Sequence, residues 1–399
     1  MKKEKTIWLF AGGQMQESAA KKILDFGYKL ILTDINPDCI CAKYADEFIE
    51  RDTFDVCGNT MEAERLRKKY DICACITIAA DCHETVALIN RQLGLPGISP
   101  ELSHICRQKN LTRARLTKVG IPQPKYACVK TINEAKSFLA SIGNNGVIKA
   151  TDNSGSRGFY KLSSPEAFTI EVFDAAITAG TSGSVIIEET LIPSVDCISE
   201  LSVETLWYNG KMYWLNWVDR LFKPDLKFFP NLLFYQNNPL NWGVEIGHIN
   251  PARHSVSVKK EIENMIFSAG LAIGMDKEIG GHILKADIML TDIGSIIIEL
   301  TPRLSGGWDS SGTTPARGAN FQGGCIQLAI GKPLDLDLWY TYFEFNNPCL
   351  YASILTEIPP DAKDCIGRKF ALGFDFEREK SLQLAFDNLQ ENRYVLSMV

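Results

Sequence analysis

The sequence predicts an N-terminal α/β domain built on a parallel sheet, then an α+β region, then a strand-rich C-terminal segment. Three observations carry this. The first hundred residues alternate apolar runs of strand length with helical spacing, the pattern of a parallel sheet. Proline and glycine at Pro96, Gly97 and Pro100, and again at Gly120-Ile121-Pro122-Gln123-Pro124, divide that region from the rest of the chain. Beyond residue 180 the apolar runs are longer, and one pair closes on a turn at Asp292-Ile293-Gly294, as in an antiparallel hairpin.

In chain order, Thr6–Ala11 reads as a buried strand, Gly12-Gly13 as a turn, Glu17–Phe26 as a helix ended by Gly27, and Lys29–Thr33 as a strand running to Asp34. Helix 61–70, strand 72–78 and helix 84–93 continue the alternation. A mostly helical stretch spans 102–119, and Gly120–Pro124 forces an extended connection because proline lacks a donor and restricts the residue before it. Strands at 126–129 and 146–149 flank a helix at 132–141. Ser154–Gly158 is a Gly/Ser loop, and strand resumes at 159–162. Segments 184–188, 198–208 and 211–218 are β-rich. Residues 219–255, rich in Pro, Asn and aromatics, read as a long loop. Helix 258–272, the hairpin strands 283–290 and 295–300, and helix 322–329 follow, and the last sixty residues read as strand-rich.

The 399 residues carry 42 basic and 48 acidic side chains, a net charge of −6, with 45% hydrophobic residues. This is a globular composition without the basic footprint of a nucleic-acid or anionic-membrane binder. The apolar run Ile7–Ala11 is too short for a signal peptide, and no stretch of about 18 apolar residues marks a membrane span. The twelve cysteines include Cys39/Cys41 and Cys73/Cys75, whose one-residue gap and missing histidine partners do not make a zinc site. Reduced, mostly buried thiols in a cytoplasmic protein are the expectation.

The turn at Gly12-Gly13 with Asp34 beyond it resembles a dinucleotide site only weakly, because G-x-G-x-x-G is absent, and no Walker A pattern occurs. Three later segments carry more chemistry. Lys149 leaves a strand and is followed by Ser154-Gly155-Ser156-Arg157-Gly158, a loop whose backbone amides can approach phosphate, or else a flexible hairpin loop. Val185–Leu191 ends in Glu188-Glu189, which suits a wall and polar hinge for a base, or else a strand running into solvent. Glu200 is a later acid able to accept ribose hydroxyls. Asp287 and Glu299 stand on the two hairpin strands, where hard oxygen donors suit Mg²⁺, with Arg303 following; the alternative is a structural Glu299–Arg303 pair.

In this order and spacing, the three segments resemble the ATP-grasp superfamily, which includes biotin carboxylase, carbamoyl-phosphate synthetase and carboxylate–amine ligases. The resemblance covers about residues 5–335. It implies a preATP-grasp, Rossmann-like domain at 1–103, an ATP-grasp domain at 104–335 with a mobile lid at about 125–190, and a β-rich C-terminal segment at 336–399. Lys109 and Lys149 match the two ATP lysines and Ser154–Gly158 the phosphate loop. Glu188, Glu189 and Leu191 match the adenine hinge, and Glu200 the ribose acid. Ser199–Glu204 is similar to the family's E-x-S-V-E strand, and Glu245–Pro251 to a segment near the acceptor pocket. Asp287, Glu299 and Thr301 take the metal positions; Thr301 stands where the family often has asparagine. Arg303, with the backbone of Ser305, Gly306 and Gly307, takes the place that holds phosphate or carboxylate, and His248 lies among candidates for the substrate pocket, with Arg220, Trp242, Arg253, Trp308, Asp309 and Arg317.

The resemblance therefore implies an ATP-dependent, Mg²⁺- or Mn²⁺-using ligase that activates a small-molecule carboxylate as an acylphosphate and couples it to an amine. It admits a homodimer. Within the same fold the alternative is a bicarbonate-using carboxylase or carbamoyl-phosphate-type enzyme. Outside that reading stand a non-catalytic ATP-binding module and an NAD-dependent dehydrogenase.

Overall fold

The computed structural model describes residues 3–153, 158–230, 244–356, 369–393 and 395–397. It contains three sheets. The first is parallel, ordered β3-β2-β1-β4, from β1 (Lys5–Phe10), β2 (Lys29–Asp34), β3 (Glu47–Glu50) and β4 (Asp71–Ile76). Its central strand is apolar because helices cover both faces: Ile7, Trp8, Leu9 and Phe10 are all fully buried. Strand β3, absent from the sequence-based expectation, is a four-residue edge strand. The helix expected at 61–70 begins earlier, at Val56, where the Asp55 carboxylate accepts from the Gly58 N–H and caps its first turn.

The second sheet is antiparallel, ordered β5-β8-β6-β7, from β5 (Tyr126–Val129), β6 (Gly146–Ala150), β7 (Tyr160–Leu162) and β8 (Val185–Glu189). The helices Ile132–Ser141 and Ile170–Thr178 cover it through Ala135, Leu139, Phe173 and Ala176.

The third sheet has eight strands in the order β13-β12-β9-β10-β11-β14-β15-β16. They are β9 (Glu200–Tyr208), β10 (Lys211–Phe222), β11 (Glu245–Asn250), β12 (Gly281–Thr291), β13 (Gly294–Thr301), β14 (Tyr351–Thr356), β15 (Lys369–Asp375) and β16 (Val395–Ser397). The β12–β13 hairpin closes with Thr291 opposite Gly294, which adopts φ 117°, a left-handed value that costs a residue without Cβ little.

Two expectations are corrected. Residues 219–255 are not one long loop: β10 runs on to Phe222, a 3₁₀ turn follows at Lys223–Phe228, and β11 occupies Glu245–Asn250. Polar residues there alternate with apolar ones on strands whose polar face lines the site, so composition alone reads as loop. The C-terminal segment, 336–399, holds more helix than its β-rich expectation. Leu336–Tyr342 and the 13-residue helix Arg378–Gln390 are helical, the latter burying Leu382, Ala385 and Leu389 against β14 and β15. Among the described residues the cysteines are free thiols, and four of them, Cys41, Cys75, Cys82 and Cys106, are buried, fewer than expected. Among the described residues no helix is long and apolar enough to cross a membrane.

Candidate active site

Alternation on β9 builds the floor of the site. Leu201 and Val203 enter a core with Ile262 and Ile266 of the helix Val256–Ile273. Glu200, Ser202 and Glu204 therefore share the opposite face. Register carries the same face outward: Glu204 pairs Lys285, Ser202 pairs Asp287, Asp287 pairs Glu299 and Lys285 pairs Thr301 on one side, while Arg220 pairs both Glu200 and His248 on the other. One side of one sheet thus collects Thr301, Glu299, Asp287, Lys285, Glu200, Arg220 and His248.

The stretch expected as helical at 102–119 is two helices, Pro100–Arg107 and Lys109–Lys118, because Gln108 leaves helical geometry at φ −93°, ψ 102°. The break puts Lys109 at a helix start, where its N–H donates to Thr151 O, 2.8 Å away, and its ammonium reaches Glu299 Oε1 at 2.8 Å. Lys149, on β6, reaches Glu188 Oε2 on β8 at 2.7 Å. The other Glu188 oxygen accepts from Arg113 Nε at 2.7 Å. Glu188 is thus an internal partner of Lys149, 3% exposed, while Glu189 faces Lys125 at the strand end and Leu191 is half-buried just beyond.

Burial works to raise both acids, but charge outweighs it. Arg113 and Lys149 hold the Glu188 carboxyl at about 2, and Lys109 and Lys285 hold Glu299 at about 2. Burial pulls the Lys149 ammonium down, with Glu188 opposing. Glu200 behaves oppositely: burial, then Asp287 and Glu245, push it up to about 7 against the opposing charge of Arg220, 3.0 Å away.

Asp287 Oδ2 accepts from Lys285 at 2.6 Å, whereas Asp287 Oδ1 is buried with no hydrogen-bond partner. That oxygen faces the Arg220 guanidinium at 3.5 Å, and together with Glu299 opposite it and Thr301 on the same face it makes a set of hard oxygen donors that fits a divalent cation such as Mg²⁺.

Arg303 does not pair with Glu299, as the structural alternative would have it. It meets Asp81, from the loop after β4, through Nε at 2.8 Å and Nη2 at 2.6 Å, and Nη1 donates to Leu304 O. This side-on grip occupies one edge of the guanidinium and leaves other N–H groups of Nη1 and Nη2 for an anion. Beyond it, the Ser305 N–H, expected to face substrate, donates to Glu204 instead. Gly306 lies against the backbone of Ala79, and Gly307 against the His248 ring. Trp308 then takes φ 73°, costly for a bulky residue, and starts the π-helical turn Asp309–Thr313. His248, 2% exposed, stands between Glu245 Oε1 at 3.1 Å and Asp309 Oδ1 at 3.0 Å. Burial disfavours its charge, yet the two carboxylates outweigh burial and raise it to about 10.

Ion pairs and strand register thus link the sequence-predicted Lys109, Glu299, Asp287, Thr301, Glu200 and His248 along one sheet face, while Lys149 pairs with Glu188 on the second sheet and Arg303 follows the end of β13. Gly158 adopts φ 70° beside Ala179, while Ser154, Gly155, Ser156, Arg157 and Trp242 lie outside the described residues. Sequence reasoning missed Arg113, Lys285 and Asp81. Lys285 was signalled by its two-residue spacing from Asp287; Asp81 had no local signal. At the first turn of the parallel sheet, Asp34 accepts from the Gly12 and Asn36 N–H groups, and a Cβ on Gly12 would stand 2.4 Å from Cys39 Sγ.

The L-amino acid ligase of Bacillus licheniformis superposes on the entire chain, covering 100% of it and 99% of that protein, with a TM-score of 0.71 and 16% identity. The chain has the ATP-grasp fold. No protein-family model matches it. In sequence, the chain is 25% identical over 278 residues to the uncharacterized protein y4rH of Sinorhizobium fredii, covering 69% of this chain and 52% of that one. It is 29% identical over 122 residues to the 3-methyl-D-ornithine–L-lysine ligase of Methanosarcina barkeri, covering 30% of this chain and 33% of that one. The matches thus span about half and a third of these relatives.

Proposed function

We propose that the protein is an ATP-dependent ligase that activates a substrate carboxylate as an acylphosphate and joins it to an amine, releasing ADP and phosphate. The observation that carries this reading is that Lys109 meets Glu299, Lys149 meets Glu188, and Asp287 faces Glu299 across the β12–β13 ladder, with Arg303 just beyond. The ligase names of two similar proteins support an amino acid as the carboxylate partner, the amine partner, or both.

Lys109 and Lys149 neutralise phosphate charge, each pre-oriented by an acid. Asp287 and Glu299, with the Thr301 hydroxyl, would hold a magnesium ion, which would neutralise charge at the phosphates. Phosphoryl transfer asks for positioning and electrostatic stabilisation more than for covalent participation by the protein. A carboxylate oxygen of the substrate attacks the γ-phosphorus as the bond to the ADP oxygen breaks. Arg303, aimed by Asp81, steadies the anionic groups with the amides of Gly306 and Gly307. The amine then attacks the acyl carbon, and phosphate leaves. Glu189, Leu191 and the exit of β8 serve the base, Glu200 the ribose, and Ser154–Gly158 the phosphates.

The test is a panel of amino acids, singly and in pairs, and of bicarbonate, with ADP and product mass measured. ADP release that requires a carboxylate and an amine, with a product lighter than their sum by one water, supports the reading. Release driven by bicarbonate alone turns it to the carboxylase alternative, and no nucleotide turnover with any pair counts against it.

A further inference from the structure

Arg113 lies one helical turn after Lys109 and is 3% exposed. A fully ionised guanidinium with five donors is costly to bury unless its N–H groups are used. Here Nε donates to Glu188 Oε1, Nη1 to Ile297 O at 2.8 Å and Nη2 to Ile298 O at 2.7 Å. The two carbonyls sit at an irregularity in β13. Asp287 pairs Glu299 and Ile288 pairs Ile297, so Ile298 is an extra residue with no partner across the ladder. Such a β-bulge bends its strand and re-aims the neighbouring side chain, and its carbonyls need donors from elsewhere. The next residue is Glu299.

One planar fork therefore joins three things: the acid that holds Lys149, the bulge that aims Glu299, and the helix that carries Lys109. Lys109 and Arg113, four residues apart on one helix face, each reach across to a different sheet partner. Lysine could replace the charge beside Glu188 but could not span an acid and two carbonyls, because its donors leave one nitrogen.

We propose that Arg113 is a positioning residue that locks the β13 bulge to the Lys149–Glu188 pair, so that Glu299 meets a nucleotide-bound metal ion in register with the phosphate-binding lysines. This rests on the ATP-ligase reading. It predicts a specific failure. Without the fork, Lys149 keeps Glu188 and nucleotide contacts persist, but Glu299 loses its fixed aim.

The test uses the full-length protein and ADP, titrated calorimetrically with and without Mg²⁺, for wild type, Arg113→Lys and Arg113→Gln. Circular dichroism and melting temperature establish that each variant is folded at the assay temperature. The expected result is metal-free ADP affinity near wild type in Arg113→Lys, while the gain in affinity on adding Mg²⁺ shrinks about tenfold or more in both variants, within the range of ordinary coupling between sites. An undiminished Mg²⁺ gain in either folded variant overturns the proposal, whatever the melting temperature does, because a merely structural arginine lowers stability alone. Wild-type protein that binds no ADP overturns the ATP reading itself and this inference with it. Wild type that binds ADP with a Mg²⁺ gain, and variants that share that gain, overturns only the role of Arg113.

Discussion

The Lys109 ammonium stands 2.8 Å from Glu299 Oε1, joining the start of one helix to the acid next to the β13 bulge. In the proposed reading this contact joins the cation that meets phosphate to the acid that meets the metal. A pair already held in place lowers the reorganisation needed for phosphoryl transfer.

Glu299→Gln keeps the side-chain shape and removes the charge. Because the Glu299 carboxyl sits at about 2, it is ionised throughout the neutral range, so the substitution removes a full negative charge. ADP formation is expected to fall by about a hundredfold to a thousandfold, while the circular dichroism spectrum stays native. Turnover at the wild-type rate would remove Glu299 from the metal set.

Asp81→Asn tests the grip on Arg303. Asp81 belongs to the parallel-sheet domain and Arg303 to the strand end beyond Glu299, and both Nε and Nη2 bond one Asp81 oxygen. An amide keeps an acceptor but loses the ionic orientation. A decrease of about tenfold to a hundredfold in kcat/KM for the carboxylate substrate is expected, because small misplacements of an anion clamp cost rate, with KM for ATP changed by less. Equal loss in both would point to a general disturbance of the cleft.

His248 gives the protein a pH signature. Its folded value of about 10 lies above the ordinary 6.5, so the bound proton favours the native state. The stabilisation is full below pH 6.5 and is lost as pH rises through 10. Wild-type melting temperature should therefore fall across pH 6.5–10 relative to His248→Gln, by about 5 °C or more. Parallel curves for the two proteins across that window would contradict the Glu245–His248–Asp309 arrangement.

Much of this architecture was legible in the sequence because local chemistry declared it. The parallel βα alternation of the first hundred residues, the Asp292-Ile293-Gly294 turn and the β-rich segment at 198–208 each follow from nearest neighbours in the chain. The resemblance named Lys109, Lys149, Asp287 and Glu299 by order and spacing, and the structure pairs Lys109 with Glu299, Lys149 with Glu188 and Asp287 with Glu299 across the ladder. Arg113 was hidden because a helical arginine ordinarily reads as solvated surface; its role depends on a bulge 184 residues away that no local pattern announces. Asp81 was hidden for the same reason, at a separation of 222 residues. Glu188 was read through its neighbour Glu189 as part of a hinge, whereas strand alternation turns the two acids to opposite sides, one into the Lys149 pair and one toward Lys125.

The central claim is transfer of the γ-phosphoryl group to a substrate carboxylate, and oxygen tracing tests it most directly. With a substrate whose carboxylate oxygens are both ¹⁸O, attack on phosphorus carries one labelled oxygen into the released inorganic phosphate, and the product amide keeps the other. The account predicts one ¹⁸O per phosphate released, measured by mass spectrometry alongside ADP. Unlabelled phosphate accompanying a labelled product would contradict it.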